Sequence, residues 1–153
     1  MTEITQQHLD QYAAGKAELK DLVGMSAEEV EHLRGRAQLF LDGGHDERAL
    51  IMLEMLEELD RSDPLPSLLA VGLLLKRGES DAAEEKLAAL EGRHPKHPEV
   101  QIAKAELLIQ TGQMVPAARL LKAVIDQDPQ AKTDAGKRAQ AVVARANAML
   151  ARG

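Results

Sequence analysis

The sequence predicts an all-α array of helix pairs. Three observations carry that expectation: a spacing of 34 residues repeated over three copies, amphipathic runs broken by glycine, and a core vocabulary almost without aromatics. Phe40 and Tyr12 stand alone and there is no Trp, so the interior must be built from Leu, Ala, Val, Ile and Met. Those residues suit closely packed helices better than a β-sandwich.

At 153 residues the chain is one domain's worth, long enough for a real core. Charged residues make up 29% and hydrophobic ones 44%, which places it with soluble globular chains rather than disordered ones. The absence of cysteine removes disulfides, thiolate catalysis and Cys-ligated zinc, and fits a reducing cytoplasm. The opening "MTEITQQHLDQY" lacks the basic and apolar regions of a secretory signal, and no apolar run reaches membrane-spanning length. A formal charge of −6 argues against nucleic acid as a partner.

The elements follow in chain order. Residues 3–23 read as one amphipathic helix with Ile4, Tyr12, Leu19, Leu22 and Val23 near one stripe, broken by Gly24. Ser26 with Glu29 is a capping box that starts the next helix. From there Gly44, Gly78 and Gly112 fall in register, as do Ala49, Ala83 and Ala117, and Leu53, Leu87 and Leu121. Leu56, Leu90 and Val124 also align, as do Phe40, Leu74 and Leu108, and Pro95 with Pro129. Composition alone supplies leucines, but not glycine, alanine and proline together in phase. The glycines belong at turns, where a left-handed backbone is easiest without a Cβ. The alanines let two helix axes approach, and the leucines four residues later share their face. Asp63 before Pro64 reads as an N-cap followed by proline at the first helical position, and Pro116 falls in a first turn where its missing N–H is harmless.

A period of 34 with these small and proline positions is similar to the tetratricopeptide repeat. The fold expected is therefore a tetratricopeptide-repeat superhelix of three helix pairs, with an N-terminal amphipathic helix and a C-terminal closing helix. Its boundaries are residues 1–29 for the N-terminal helix and connector, then repeats at 30–63, 64–97 and 98–131. Residues 132–153 form the closing helix, in which Ala139 and Val142 continue the phase of the earlier first helices. Its cations, Lys132, Lys137, Arg138, Arg145 and Arg152 against Asp134 alone, read as a solvated polar face of the kind terminal solenoid units need. Some positions depart from the family pattern: Ser67 and Gln101 stand where a bulky residue is usual, Val71 replaces a small one, and Arg61 occupies a proline position.

The order of segments, "LKDLVGMSAEEVEHL" leading into "AQLFLDGGHDERALIMLEMLEELDRSD", two further repeats and a short basic helix, resembles the translocator chaperones of bacterial type III secretion. That resemblance implies a cytoplasmic, non-enzymatic chaperone of bacteria that keeps a hydrophobic, pore-forming client soluble until export. It also implies that an extended client segment lies along the concave surface, and that the N-terminal helix makes a homodimer, here through Ile4, Tyr12, Leu19 and Leu22.

The repeat phase selects groove-facing positions on the first helix of each pair. They are Glu31, Arg34, Gln38 and Leu41, then Leu65, Leu68, Gly72 and Leu75, then Glu99, Ile102, Glu106 and Ile109, with Lys76 and Gln110 at the rim. The centre expected is apolar: Leu41, Leu68, Leu75, Ile102 and Ile109, with a hollow at Gly72. Burying each aliphatic is worth roughly 1.5–3 kcal/mol, so a cover is expected: a client peptide, or else the N-terminal helix or a second subunit. An adaptor or scaffold for a folded partner is the alternative use of the same surface.

Chemistry is sparse. His94 and His97 in "GRHPKHPE" lie in a proline-bounded connector with only Glu99 near, a weak metal pattern better read as solvated turn histidines. The acidic run of Glu54, Glu57, Glu58 and Asp60 reads as a solvated helix face, with nothing to desolvate one carboxylate selectively. "DGGHDE" lacks the Lys-Ser/Thr of a phosphate loop. No enzyme activity, metal or cofactor is expected.

Overall fold

The computed structural model describes residues 3–152, and every regular element among them is helical. The chain divides into two compact units, Met1–Leu73 and Leu74–Gly153. The first holds α1 (Gln6–Ala13), α2 (Leu19–Leu22), α3 (Ala27–Asp42), α4 (Asp46–Leu59) and most of α5 (Leu65–Lys76). The second holds the end of α5, then α6 (Ser80–Arg93), α7 (Pro98–Gln110), α8 (Met114–Gln127) and α9 (Asp134–Arg152).

The 34-residue period is written most plainly in the turns. Gly44, Gly78 and Gly112 have φ of +72°, +76° and +81°. Each donates its N–H to the carbonyl three residues back, Leu41, Leu75 and Ile109, and the next residue donates to Phe40, Leu74 and Leu108 respectively. That pair of bonds is a Schellman closure, which satisfies carbonyls a helix end would otherwise strand. Only glycine takes this backbone without strain, so the chain reverses at the same point in each copy.

The helix starts are equally local. Ser26 accepts from the Glu29 N–H while Glu29 accepts from the Ser26 N–H, completing the capping box of α3. Asp63 accepts from the Leu65 N–H at the head of α5, and Pro98 opens α7 behind a His97 cap.

The N-terminal segment differs from the single helix expected over residues 3–23. It is broken into α1 and α2, because Gly15 takes φ of +71° and closes α1 with the same two-bond pattern as the repeat turns. Ile4 precedes α1, while Leu19 and Leu22 lie on α2, so one continuous stripe does not form. Alpha2 is pinned to the end of α4. Lys20 bonds Asp60, Glu18 accepts from the Arg61 backbone N–H at 2.9 Å, and the Arg61 guanidinium sits 4.8 Å above the Tyr12 ring.

In the first unit Val30 and Ala37 of α3, Leu53 and Leu56 of α4 and Ala70 of α5 form one buried cluster. In the second, Ile102 and Ala105 of α7, Ala117, Leu121 and Val124 of α8, and Ala139 and Val142 of α9 form another. The in-phase alanines Ala49, Ala83 and Ala117 are all buried, as are Leu53, Leu87 and Leu121. Packing of an amphipathic face, rather than propensity, holds helices of this length.

Candidate functional site

Within the first unit, α3 and the head of α5 border a groove of about 270 Å³. Ala37, Leu53 and Leu56 lie at its base, Glu31, Arg34, Gly35 and Gln38 come from α3, and Leu65, Pro66 and Leu69 come from α5. Arg34 is held in place from two sides. Its Nη2 lies 2.7 Å from Asp63 Oδ2, and its Nε 3.2 Å from Glu31 Oε1. Asp63 thus caps α5 and anchors a groove side chain at once. Gln38 donates to Asp42 one turn on. Leu65 is 41% exposed, an apolar side chain presented to whatever enters. The lining thus combines an apolar base with polar side chains fixed at the edge.

Of the residues read from the repeat phase, Glu31, Arg34, Gln38 and Leu65 therefore share this groove. Leu41 is half-buried against the core cluster of its unit. Further along α5, Leu68 and Leu75 are half-buried, and Gly72 is exposed with open space where a Cβ would stand. Lys76 and Gln110 stand at the ends of their helices and do not line this groove.

The third-repeat positions behave otherwise. Ile102, expected to face a groove, is instead fully buried, at 0% exposure, in the core of the second unit. The reason is α9, which packs on α7 and α8 and brings Ala139 and Val142 into the same cluster. Glu106 is half-buried and tied into an ion-pair ladder: Arg138 bonds Glu99 and reaches Glu106 at 3.4 Å, and Arg145 lies 3.9 Å from the same carboxylate. Arg138 and Arg145 are exposed, as expected of a solvated face, and from it they also pair with carboxylates of α7. Ile109 is half-buried and turns toward a different cavity, between α8 and α9.

That cavity, about 440 Å³, is not among the sequence-based expectations. Its signal lies in the repeat phase, because position 146, where the next turn glycine would fall, holds Ala146. With no residue there to take a left-handed turn, α9 runs on to Arg152.

Electrostatics are quiet apart from two places. Lys20 is raised above its ordinary value, chiefly by its bond to Asp60. At Asp60, burial pushes the carboxyl up, but bonds from Lys20 and Ser62 outweigh it and the net shift is downward. Asp128 is lowered by bonds from the Thr133 side chain and from the Thr133 and Lys132 backbone N–H groups. Among the described residues no cluster of three or more His, Cys, Asp or Glu could hold a metal ion. His97 is engaged as a cap, its Nδ1 accepting from the Glu99 N–H.

Residues 74–146 match the tetratricopeptide repeat family. No curated protein matches the chain in sequence. Among solved structures, the fold is similar to that of the type III secretion translocator chaperone SycD of Yersinia enterocolitica, with a TM-score of 0.72 at 22% identity, covering 84% of this chain and 98% of that one. It is similar also to a chain in a T3SS complex from Aeromonas hydrophila, with a TM-score of 0.73 at 15% identity, covering 97% and 100%. The periodic glycine turns, the buried alanine and leucine rows and these matches agree on a fold of tetratricopeptide-like helix pairs over the described residues, with the repeat family itself matched over residues 74–146.

Proposed function

We propose that this chain is a non-enzymatic chaperone of the bacterial cytoplasm that holds an extended, apolar segment of a type III secretion translocator. The observation that carries the reading is the fold match, which spans 98% of a protein described as a translocator chaperone. The groove between α3 and α5 supports it, since an apolar base with a few fixed polar side chains at the edge is how a site grips a peptide while setting its register. In this reading Leu65, Pro66 and Leu69 take the client's apolar side chains. Arg34 and Gln38 meet its backbone, and Leu68 and Gly72 extend the surface along α5. Ile102 and Glu106 have no part in it. The N-terminal segment, where Ile4 is 48% exposed, joins a second copy.

Co-expression tests the reading. A translocator with membrane-inserting segments should become soluble only with this chain present, and should co-purify with it. Leu65→Glu should lose that client while far-UV circular dichroism stays unchanged, because the side chain is already partly in water. A client that stays soluble alone, or that binds the Leu65→Glu chain undiminished, would defeat the proposal. Capture of a folded partner whose solubility never depended on this chain would favour an adaptor instead.

A further inference from the structure

We propose that the cavity between α8 and the overhanging end of α9 is a docking site for an amphipathic helix of a partner protein, one whose apolar stripe is bordered by Asp or Glu. The site belongs to the second unit alone and does not rest on the client groove of α3 and α5.

Its shape comes from the missing turn. Alpha7 ends at Gln110 and Gly112 reverses the chain, whereas α9 passes Ala146 and continues through Asn147 and Leu150. Two helix surfaces consequently stand side by side with an open trough between them. Val115, Ala118 and Leu121 come from α8, with Val143, Ala146 and Leu150 from α9. A trough between two helices accepts a third helix, whose ridge of side chains seats in the groove. Its volume of about 440 Å³ is that of a binding cleft rather than a packing defect. Val115 and Leu150 are 64% and 63% exposed, large apolar side chains at opposite walls.

The charge at the edge selects the occupant. Among the described residues, Arg119 and Lys122 are the ionisable ones lining the cavity, with no Asp or Glu side chain in that lining. They are three residues apart on α8 and so share one edge of the trough. Lys122 also bonds Asp126 one turn on, at 2.6 Å, but both side chains of that pair are largely in water and free to exchange partners. A partner helix with acidic borders gains attraction at this edge, and one with basic borders meets like charge as it docks. A chain of net charge −6 that places cations beside its open apolar trough presents a local field opposite to its overall one.

The test uses the full chain and two labelled synthetic helical peptides with the same Leu/Ala stripe, one bordered by Glu and one by Lys, followed by fluorescence anisotropy. The Glu-bordered peptide should bind, and the Lys-bordered one at least about tenfold more weakly. Added salt should narrow the gap. Leu150→Glu and Val115→Asp, both at exposed positions, should abolish binding with helicity intact, and Arg119→Glu should reduce the preference for the acidic peptide. Leu65→Glu should leave this binding untouched, which separates the site from the client groove. Equal binding of both peptides, binding of neither, or indifference to Leu150→Glu would overturn the proposal. So would a self-associated species in sedimentation that Leu150→Glu dissolves, since a second copy would then be the occupant.

Discussion

Glu31, Arg34 and Gln38 on α3 hold the same repeat positions as Glu99, Ile102 and Glu106 on α7, yet the two regions end in opposite states. On α3 the row edges an open groove, with Arg34 braced by Glu31 and Asp63. On α7 the row is closed: Ile102 is interior, and both glutamates are tied to arginines of α9. A repeat position fixes how a side chain points within its own helix pair. What lies against it depends on the element that packs there next, and α9 carries the alanines and arginines to close the row on α7.

The largest effect separating the two regions should come from Ile102→Asp. A carboxylate forced into the α7–α9 core has no partner there, and the second unit should lose at least about 4 kcal/mol of stability, read in denaturant melts. Arg34→Leu at the equivalent repeat position on α3 should change stability by no more than about 1 kcal/mol, because its ion pairs are partly solvated. Equal melts for the two variants would mean that α9 does not close α7.

Glycine offers a sharper test of smaller size. A Cβ on Gly136 would collide with the Asp128 carboxylate, which is held by Thr133 and Lys132 rather than free to swing away. Gly136→Ala should therefore destabilise the second unit by about 1–3 kcal/mol. Gly72 lies mid-helix in α5, and a Cβ added there would meet nothing within 4 Å, so Gly72→Ala should stabilise by roughly 0.5–1 kcal/mol. Opposite signs from the same substitution, read as shifts in Tm, are the expected result.

The smallest effects concern pH. Asp60 titrates below its ordinary range when folded, so its contribution is complete above the unfolded carboxylate value and is lost as pH falls through the lowered one. Lys20 titrates above its ordinary value when folded. Its contribution is complete below the unfolded value and is lost as pH rises through the raised one. The strap of α2 on α4 should be firmest between those limits and exchange its amides faster beyond either. In the second unit, the loop before α9 should loosen at the acid end alone, because Asp128 is lowered mainly by hydroxyl and backbone N–H donors, which keep their protons at high pH. Hydrogen exchange at mid and extreme pH would show the one-sided and two-sided responses apart.

Much of this molecule is legible without coordinates. The glycine turns, the capping box of Ser26 and Glu29, the Asp63 cap, and the buried rows at Ala49, Ala83 and Ala117 all depend on neighbours within a few residues or on a strict period. One departure also has a local cause, since Gly15 breaks the N-terminal segment as Gly24 does, while the expected closing helix runs through Ala146, where a turn glycine would otherwise fall.

Sequence by itself determined the helix pairs, their stride and the faces they bury, because helix caps, left-handed glycines and apolar periodicity act over one turn of chain. Only the tertiary structure decided which repeat face stays open. The burial of Ile102 depends on α9 packing across α7, and the Arg138 ladder joins residues 39 and 32 positions apart. No periodic pattern encodes such a distance, since two rows of identical phase remain equivalent until a third helix lies on one of them.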